Sequence, residues 1–176
     1  MNFIASLRSP APHAIRSALH LALLLSALFA AQSALAGGWT LKDTRGVSHT
    51  LAHEKGKWVL VNFWAPWCPP CLAEMPGFSA MQRKHRDLQV IGVAVMYRND
   101  ADVLAVVNKQ KLAYPVVLGN DDISSEFGEL SGLPTSFLYD PSGKRVGRHE
   151  GPLTPQALEH VMAHAPDAKG VFVRGD

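Results

Sequence analysis

Cysteine is scarce in this 176-residue chain: there are two, and both fall in the four-residue window Cys68-Pro69-Pro70-Cys71. A disulfide kept for stability gains most by closing a long loop, and pairing Cys68 with Cys71 closes almost none, which argues against a structural staple. Acidic residues are absent from the first 36 positions; all 15 lie beyond them, where they meet 15 of the 17 Lys and Arg. The domain that follows is therefore charge-balanced and has no basic field to recruit nucleic acid or anionic lipid. Internal repeats and low-complexity tracts are missing as well, which leaves one domain.

Residues 1–36 read as an export signal. Arg8 and Arg16 give a positive start, Ala18 to Ala31 an apolar run, and Ala34-Leu35-Ala36 the small-x-small pattern of a cleavage site. The apolar run falls short of the roughly 20 residues of a membrane span. No cysteine lies near the cut, which excludes a bacterial lipoprotein anchor. The expected organisation is a signal peptide at 1–36, a domain at 37–166 and a polar C-terminal tail at 167–176. Uncleaved, the leader would instead anchor the domain to the inner membrane, facing the periplasm. Either placement is oxidising and lets disulfides persist.

Strand and helix patterns alternate along the domain. Trp39–Leu41 and Val47–Leu51 flank a turn as a short hairpin. Lys57–Ala65 is a near-continuous apolar, β-branched run with the character of a buried central strand, and Leu88–Met96 reads as a second, parallel one. Between them a helix is expected from Cys68 to about His85, kinked at Pro76. Asp100 should cap a helix to Gln110; Tyr114–Leu118 reads as a strand and Ser124–Leu130 as a short helix. Thr135–Tyr139 and Lys144–Glu150 form a hairpin around Asp140-Pro141-Ser142-Gly143. Thr154 should cap a last helix, with Pro155 at its first position, running to about Ala165. This order predicts an α/β fold, a central mixed sheet with helices on both faces.

The window sits where chemistry is expected, at the start of a helix that follows the central strand. Unsatisfied backbone N–H groups and partial positive charge there stabilise a thiolate, so the Cys68 thiol should titrate below the free value of roughly 8.5. Cys71, one turn on, faces the same sulfur. Cys68 can then attack a partner's disulfide and Cys71 can resolve the mixed disulfide; run backwards, the same parts oxidise a partner. A Cys-x-x-Cys pair is also half of a zinc site. His160 and His164, four apart on the last helix, would complete a Cys2His2 set, but 88 residues separate Cys71 from His160, against the roughly 12–20 of a zinc module. With Met75 the pair could instead hold soft copper in a non-enzymatic binding or chaperone module. Glu74, three residues after Cys71, reads either as a proton acceptor for Cys71 or as an exposed helix glutamate. Gly132-Leu133-Pro134-Thr135 leads into a strand. A cis bond before Pro134 would present the Leu133 carbonyl and N–H for edge pairing with an extended peptide.

The stretches KWVLVNFWAPWCPPCLAEMP, VIGVAV, YPVVLG, GLPTSFLYDPSGK and GPLTPQALEHVM resemble, in this order, the thioredoxin superfamily. More closely they are similar to its exported TlpA/ResA/CcmG-like branch of thiol–disulfide oxidoreductases. The resemblance runs from Val47 to Ala165. It implies Cys68 as nucleophile, Cys71 as resolving thiol, Glu74 in an acid/base role and Pro134 as a cis-proline facing the dithiol. It also implies an inserted helix and strand over Asp100–Leu118, and a client surface around Trp67, Pro69, Leu133 and Pro134. Thioredoxin itself has a buried aspartate where this chain has Asn62, so a buried acid must come from Glu74. Peroxiredoxins share the fold but resemble Thr-x-x-Cys before their reactive cysteine, and that position is Ala65 here. An oxidase resembling DsbA would carry a larger helical insertion.

The resemblance therefore implies a periplasmic reductant of protein disulfides with no bound cofactor beyond the redox-active Cys68–Cys71 pair. Its implied clients are the Cys-x-x-Cys-His haem site of apocytochrome c or the cysteines of a copper chaperone. A membrane electron-relay protein of DsbD or CcdA type would re-reduce it. The opposite direction, oxidation of folding proteins, stays open.

Overall fold

The computed structural model describes residues 38–164 and 171–172; the leader at 1–36 and most of the tail at 167–176 lie outside the described residues. Strands β1 (Thr40–Lys42) and β2 (Ser48–Thr50) form an antiparallel hairpin. β3 (Trp58–Trp64), β4 (Leu88–Ala94), β5 (Val116–Leu118), β6 (Thr135–Tyr139) and β7 (Arg145–Glu150) make one sheet in the order β5-β4-β3-β6-β7. β3, β4 and β5 are parallel, and β6 and β7 are antiparallel to their neighbours. The helices are α1 (Pro69–Lys84), α2 (Asp100–Gln110), α3 (Asp121–Phe127) and α4 (Pro155–Ala163). This is the mixed α/β sheet the sequence predicts.

Every residue of β3 is buried, so its alternation sorts side chains between two cores rather than between core and water. Leu60 and Trp64 join α1 (Met75, Phe78), α2 (Val103) and α4 (Leu158, Val161) on one face. Val59, Val61 and Phe63 join Phe137, Phe127 of α3 and Trp39 and Leu41 of the hairpin on the other. The hairpin is fixed by Asp43, buried at its turn. Its carboxylate accepts from the Arg45 and Val47 N–H groups at 2.9 Å each and from the Arg45 guanidinium at 2.8 Å. Burial pushes this carboxyl up, but these bonds and one from His49 outweigh it and hold the pKa at about 2.

Several boundaries differ from those read in the sequence. Asn99, not Asp100, caps α2: its Oδ1 accepts from Asp102 N at 3.0 Å while Asp100 begins the helix. The short helix starts three residues early because Asn120 caps it through Ile123 N at 2.9 Å, and it ends at Phe127 rather than Leu130. Thr154 caps α4 as expected, accepting from Ala157 N at 3.2 Å, but the helix ends at Ala163. α1 runs through Pro76. Lacking an N–H, Pro76 leaves the Leu72 carbonyl without its helical donor, and Gln110 Nε2 of α2 approaches that oxygen at 3.4 Å. Phe172, within the stretch read as a polar tail, is buried.

Gly119 donates to the Ala94 carbonyl at 2.8 Å, pinning the end of β5 to the end of β4. A Cβ there would stand 2.6 Å from Val93 Cγ1 and 2.7 Å from that same carbonyl oxygen. Gly119→Ala is therefore expected to destabilise the domain by about 1–3 kcal/mol. The midpoint of urea unfolding should fall with its slope unchanged.

Candidate active site

The dithiol lies where the central strand hands over to α1. Cys68 occupies the cap position with extended backbone, its N–H bonded to the Ala65 carbonyl at 3.1 Å and its carbonyl accepting from Leu72 N at 3.1 Å. The helix thus begins at Pro69, one residue later than the sequence suggested. Cys68 and Cys71 form a disulfide with Cα atoms 5.3 Å apart. Cys71 is fully buried and Cys68 is 3% exposed. The delayed start changes the electrostatics expected for the site. A cap group normally receives N–H donors from the second or third helical position. Here the first two positions are Pro69 and Pro70, which have no N–H, so only Cys71 N–H is left to face the Cys68 sulfur.

Three further residues were predicted for the client surface. Trp67 is 62% exposed, and its ring is held by a 2.6 Å bond from Nε1 to the Met96 carbonyl. Met96 is exposed too and presents that oxygen from the left-handed region, with φ 53°. The Leu133–Pro134 bond is cis, and Pro134 is buried. On either side of Leu133, the Gly132 carbonyl accepts from Thr135 Oγ1 at 2.7 Å and the Pro134 carbonyl from Gly151 N at 2.9 Å. Leu133 itself makes no backbone hydrogen bond among the described residues.

Glu74 is not an exposed helix residue. It is 8% exposed, on the face of α1 that meets the sheet, and both its oxygens are engaged. Asn62 Nδ2 donates to Oε1 at 2.8 Å and Leu153 N to Oε2 at 2.8 Å. Asn62 Nδ2 also reaches Ser136 Oγ at 3.0 Å, its cross-strand neighbour on β6. On the other side of Asn62 the row holds Gly92, and the Tyr114 ring fills the space a side chain would take there. Burial pushes the Glu74 carboxyl up to about 7, against the pull of the two N–H donors and of His149, so the acid exchanges its proton near neutrality. Beside it opens an apolar cavity of about 310 Å³, lined by Pro70, Ala73, Gly77 and the 152–155 turn.

The sequence named the dithiol, Glu74, Trp67, Leu133 and Pro134 as candidates and marked Asn62 as a departure. It missed Ser136, His149 and the Leu153 N–H. The alternation 58-60-62-64 could have put Asn62 on the α1 face, but the strand register that aligns its partners carries no local signal. Met75 is fully buried among core side chains, which explains it as packing. His160 and His164 do share a face, with rings stacked at 4.6 Å. Among the described residues no group of three or more His, Cys, Asp or Glu is arranged to hold a metal ion.

A dithiol at a helix start after the central strand, beside a cis-proline and a buried acid, defines a thioredoxin-like exchange protein. Residues 34–145 match the AhpC/TSA family. The thiol–disulfide oxidoreductase ResA of Bacillus subtilis is 33% identical over 147 residues, covering 79% of this chain and 81% of its own length. The thioredoxin-like protein YneN of the same organism is 31% identical over 128 residues, 70% of this chain and 74% of that one. A solved thiol:disulfide interchange protein of the thioredoxin family from Chlorobium tepidum superposes with a TM-score of 0.67 at 30% identity, over 74% of this chain and 94% of that one. The chain belongs to the AhpC/TSA family, as a TlpA/ResA-like thiol–disulfide oxidoreductase of the thioredoxin superfamily.

The buried acid makes stability depend on pH with a defined sign. Glu74 titrates at 4.5 when unfolded and at about 7 when folded, so between these values the folded state holds the extra proton. Unfolding free energy should therefore fall as pH rises from 4.5 to 7, by at most about 3 kcal/mol. Glu74→Gln should lose that slope in urea titrations run across the window. An identical slope in both proteins would assign the pH dependence to other groups.

Proposed function

We propose that this protein is a periplasmic reductant of protein disulfides. What supports the direction is the proline pair at the helix start. A dithiol protein is a strong oxidant when its reduced, thiolate form is well stabilised. With Pro70 at the second position, Cys68 loses one of the two N–H groups that a cap normally receives, and the thiolate is correspondingly less favoured. That favours a pair on the reducing side.

The reaction is two exchanges. The Cys68 thiolate attacks one sulfur of a client disulfide; that S–S bond breaks and the other client sulfur leaves as a thiolate. Cys71 then gives its proton to the Glu74 carboxylate, and its sulfur attacks Cys68 Sγ. The Cys68–Cys71 bond forms and the second client thiolate departs. Two electrons have passed to the client, and the dithiol needs no bound cofactor to carry them. Glu74 suits this step because it lies on the same face of α1 as Cys71, three residues on, and titrates near 7.

Client docking is assigned to the exposed Trp67 ring, Pro69 and the unpaired Leu133 backbone, which can bond an extended segment while the buried Pro134 backs it. Apocytochrome c before haem attachment and a copper-delivery protein are the proposed clients. A membrane electron relay of DsbD or CcdA type is the proposed source of electrons. The periplasmic setting rests on the composition of residues 1–36.

Equilibration with glutathione and dithiothreitol buffers, with free thiols counted, should give a reduction potential near or below about −220 mV, toward the roughly −270 mV of thioredoxin. A value near about −120 mV would reverse the electron flow. Pro70→Ala restores one N–H and should raise the potential while lowering the Cys68 titration. Cys68→Ser should abolish disulfide reduction, and a mutant that retains it would remove the nucleophile assignment.

A further inference from the structure

His149, on β7, stands opposite Ser136 in the β6–β7 register, and Ser136 stands opposite Asn62 in the β3–β6 register. The three side chains form a row across the sheet on the face that α1 covers. The His149 ring meets two carbonyl oxygens: Nε2 lies 3.2 Å from Pro152 O and Nδ1 lies 2.6 Å from Val171 O. Phe172 packs beside it, ring centroids 5.8 Å apart. The Pro152 carbonyl and the Leu153 N–H are two ends of one planar peptide unit. That N–H is the donor to Glu74 Oε2 at 2.8 Å. One peptide thus joins the imidazole on one side to the acid on the other.

A neutral imidazole has one N–H to give, and only the doubly protonated ring serves both carbonyls. Hydrogen bonds in such a chain polarise one another, so a cationic ring strengthens the Leu153 N–H as a donor to a carboxylate. The other groups facing Glu74 are the neutral side chains of Asn62 on β3 and Ser136 on β6, the buried hydroxyl of Tyr114 ahead of β5 and, in the reduced protein, the Cys71 thiol on its own helix. His149 is the one among them that can carry positive charge.

We propose that His149 is a positioning residue for Glu74, acting through the Pro152–Leu153 peptide to hold the acid in place and, as the cation, to favour its carboxylate. The attraction of His149 for the Glu74 charge acts in the same direction. The consequence for exchange rests on the acid role proposed above for Glu74; the coupling itself does not.

The test follows the Glu74 carboxyl and the His149 ring by carbon NMR across pH in the reduced full chain. His149→Gln should move the Glu74 midpoint up by about half a pH unit, roughly threefold in the ratio of ionised to neutral acid. The acidic limb of the exchange rate should move with it, a displacement that general loosening of the fold would not produce. In the unmutated protein the His149 ring signals should inflect at the Glu74 midpoint, and Glu74→Gln should erase that inflection. A Glu74 midpoint unmoved by His149→Gln overturns the proposal. Should that variant fail to fold, an inflection that persists in Glu74→Gln overturns it instead. A midpoint that moves while the rate profile stays fixed supports the coupling and refutes the acid role.

Discussion

The carboxyl of Glu74, buried and clasped between a side-chain amide and a backbone N–H, is the constraint on which the site depends. It comes from α1, the amide from the central strand and the N–H from the turn before α4, so three elements are tied at one point. Burying a carboxylate costs free energy, and two donors offset only part of it. The remainder appears as a raised titration rather than as an unstable fold. That raised titration is what the acid role proposed for Glu74 draws on.

The site divides into two compartments. Trp67, Met96 and Leu133 face solvent or its margin and can meet a protein partner. Glu74, Asn62 and Ser136 lie behind the disulfide under α1. Cys68 joins the two at the edge of the buried region. The left-handed Met96 serves the outer compartment by aiming its carbonyl at the Trp67 indole.

Much of this was legible in the sequence because it rests on local signals. The apolar run Trp58–Trp64, the Thr154-Pro155 cap and the Cys-Pro-Pro-Cys window each carry their meaning within a few residues. The errors were equally local in origin. Asn99 and Asp100 are both cap formers, and composition alone does not choose between neighbours. The proline pair was visible, but its effect on the thiolate emerged only once the helix was seen to begin at Pro69. What stayed hidden was the row of Asn62, Ser136 and His149, which lie 74 and 13 residues apart along the chain. Their alignment is a property of strand register, set by the packing of whole faces rather than by any of the three residues.

The Asp43 turn has a bearing on how the domain tolerates its own chemistry. That carboxyl gives up its proton at about 2 and Glu74 at about 7. The stability Asp43 contributes is present above its unfolded value of 3.8 and is lost only as pH falls toward 2. Across the whole interval in which Glu74 changes charge, the Asp43 carboxylate keeps its own. The proton that Glu74 takes up or gives away leaves the charge that anchors the Asp43 turn untouched.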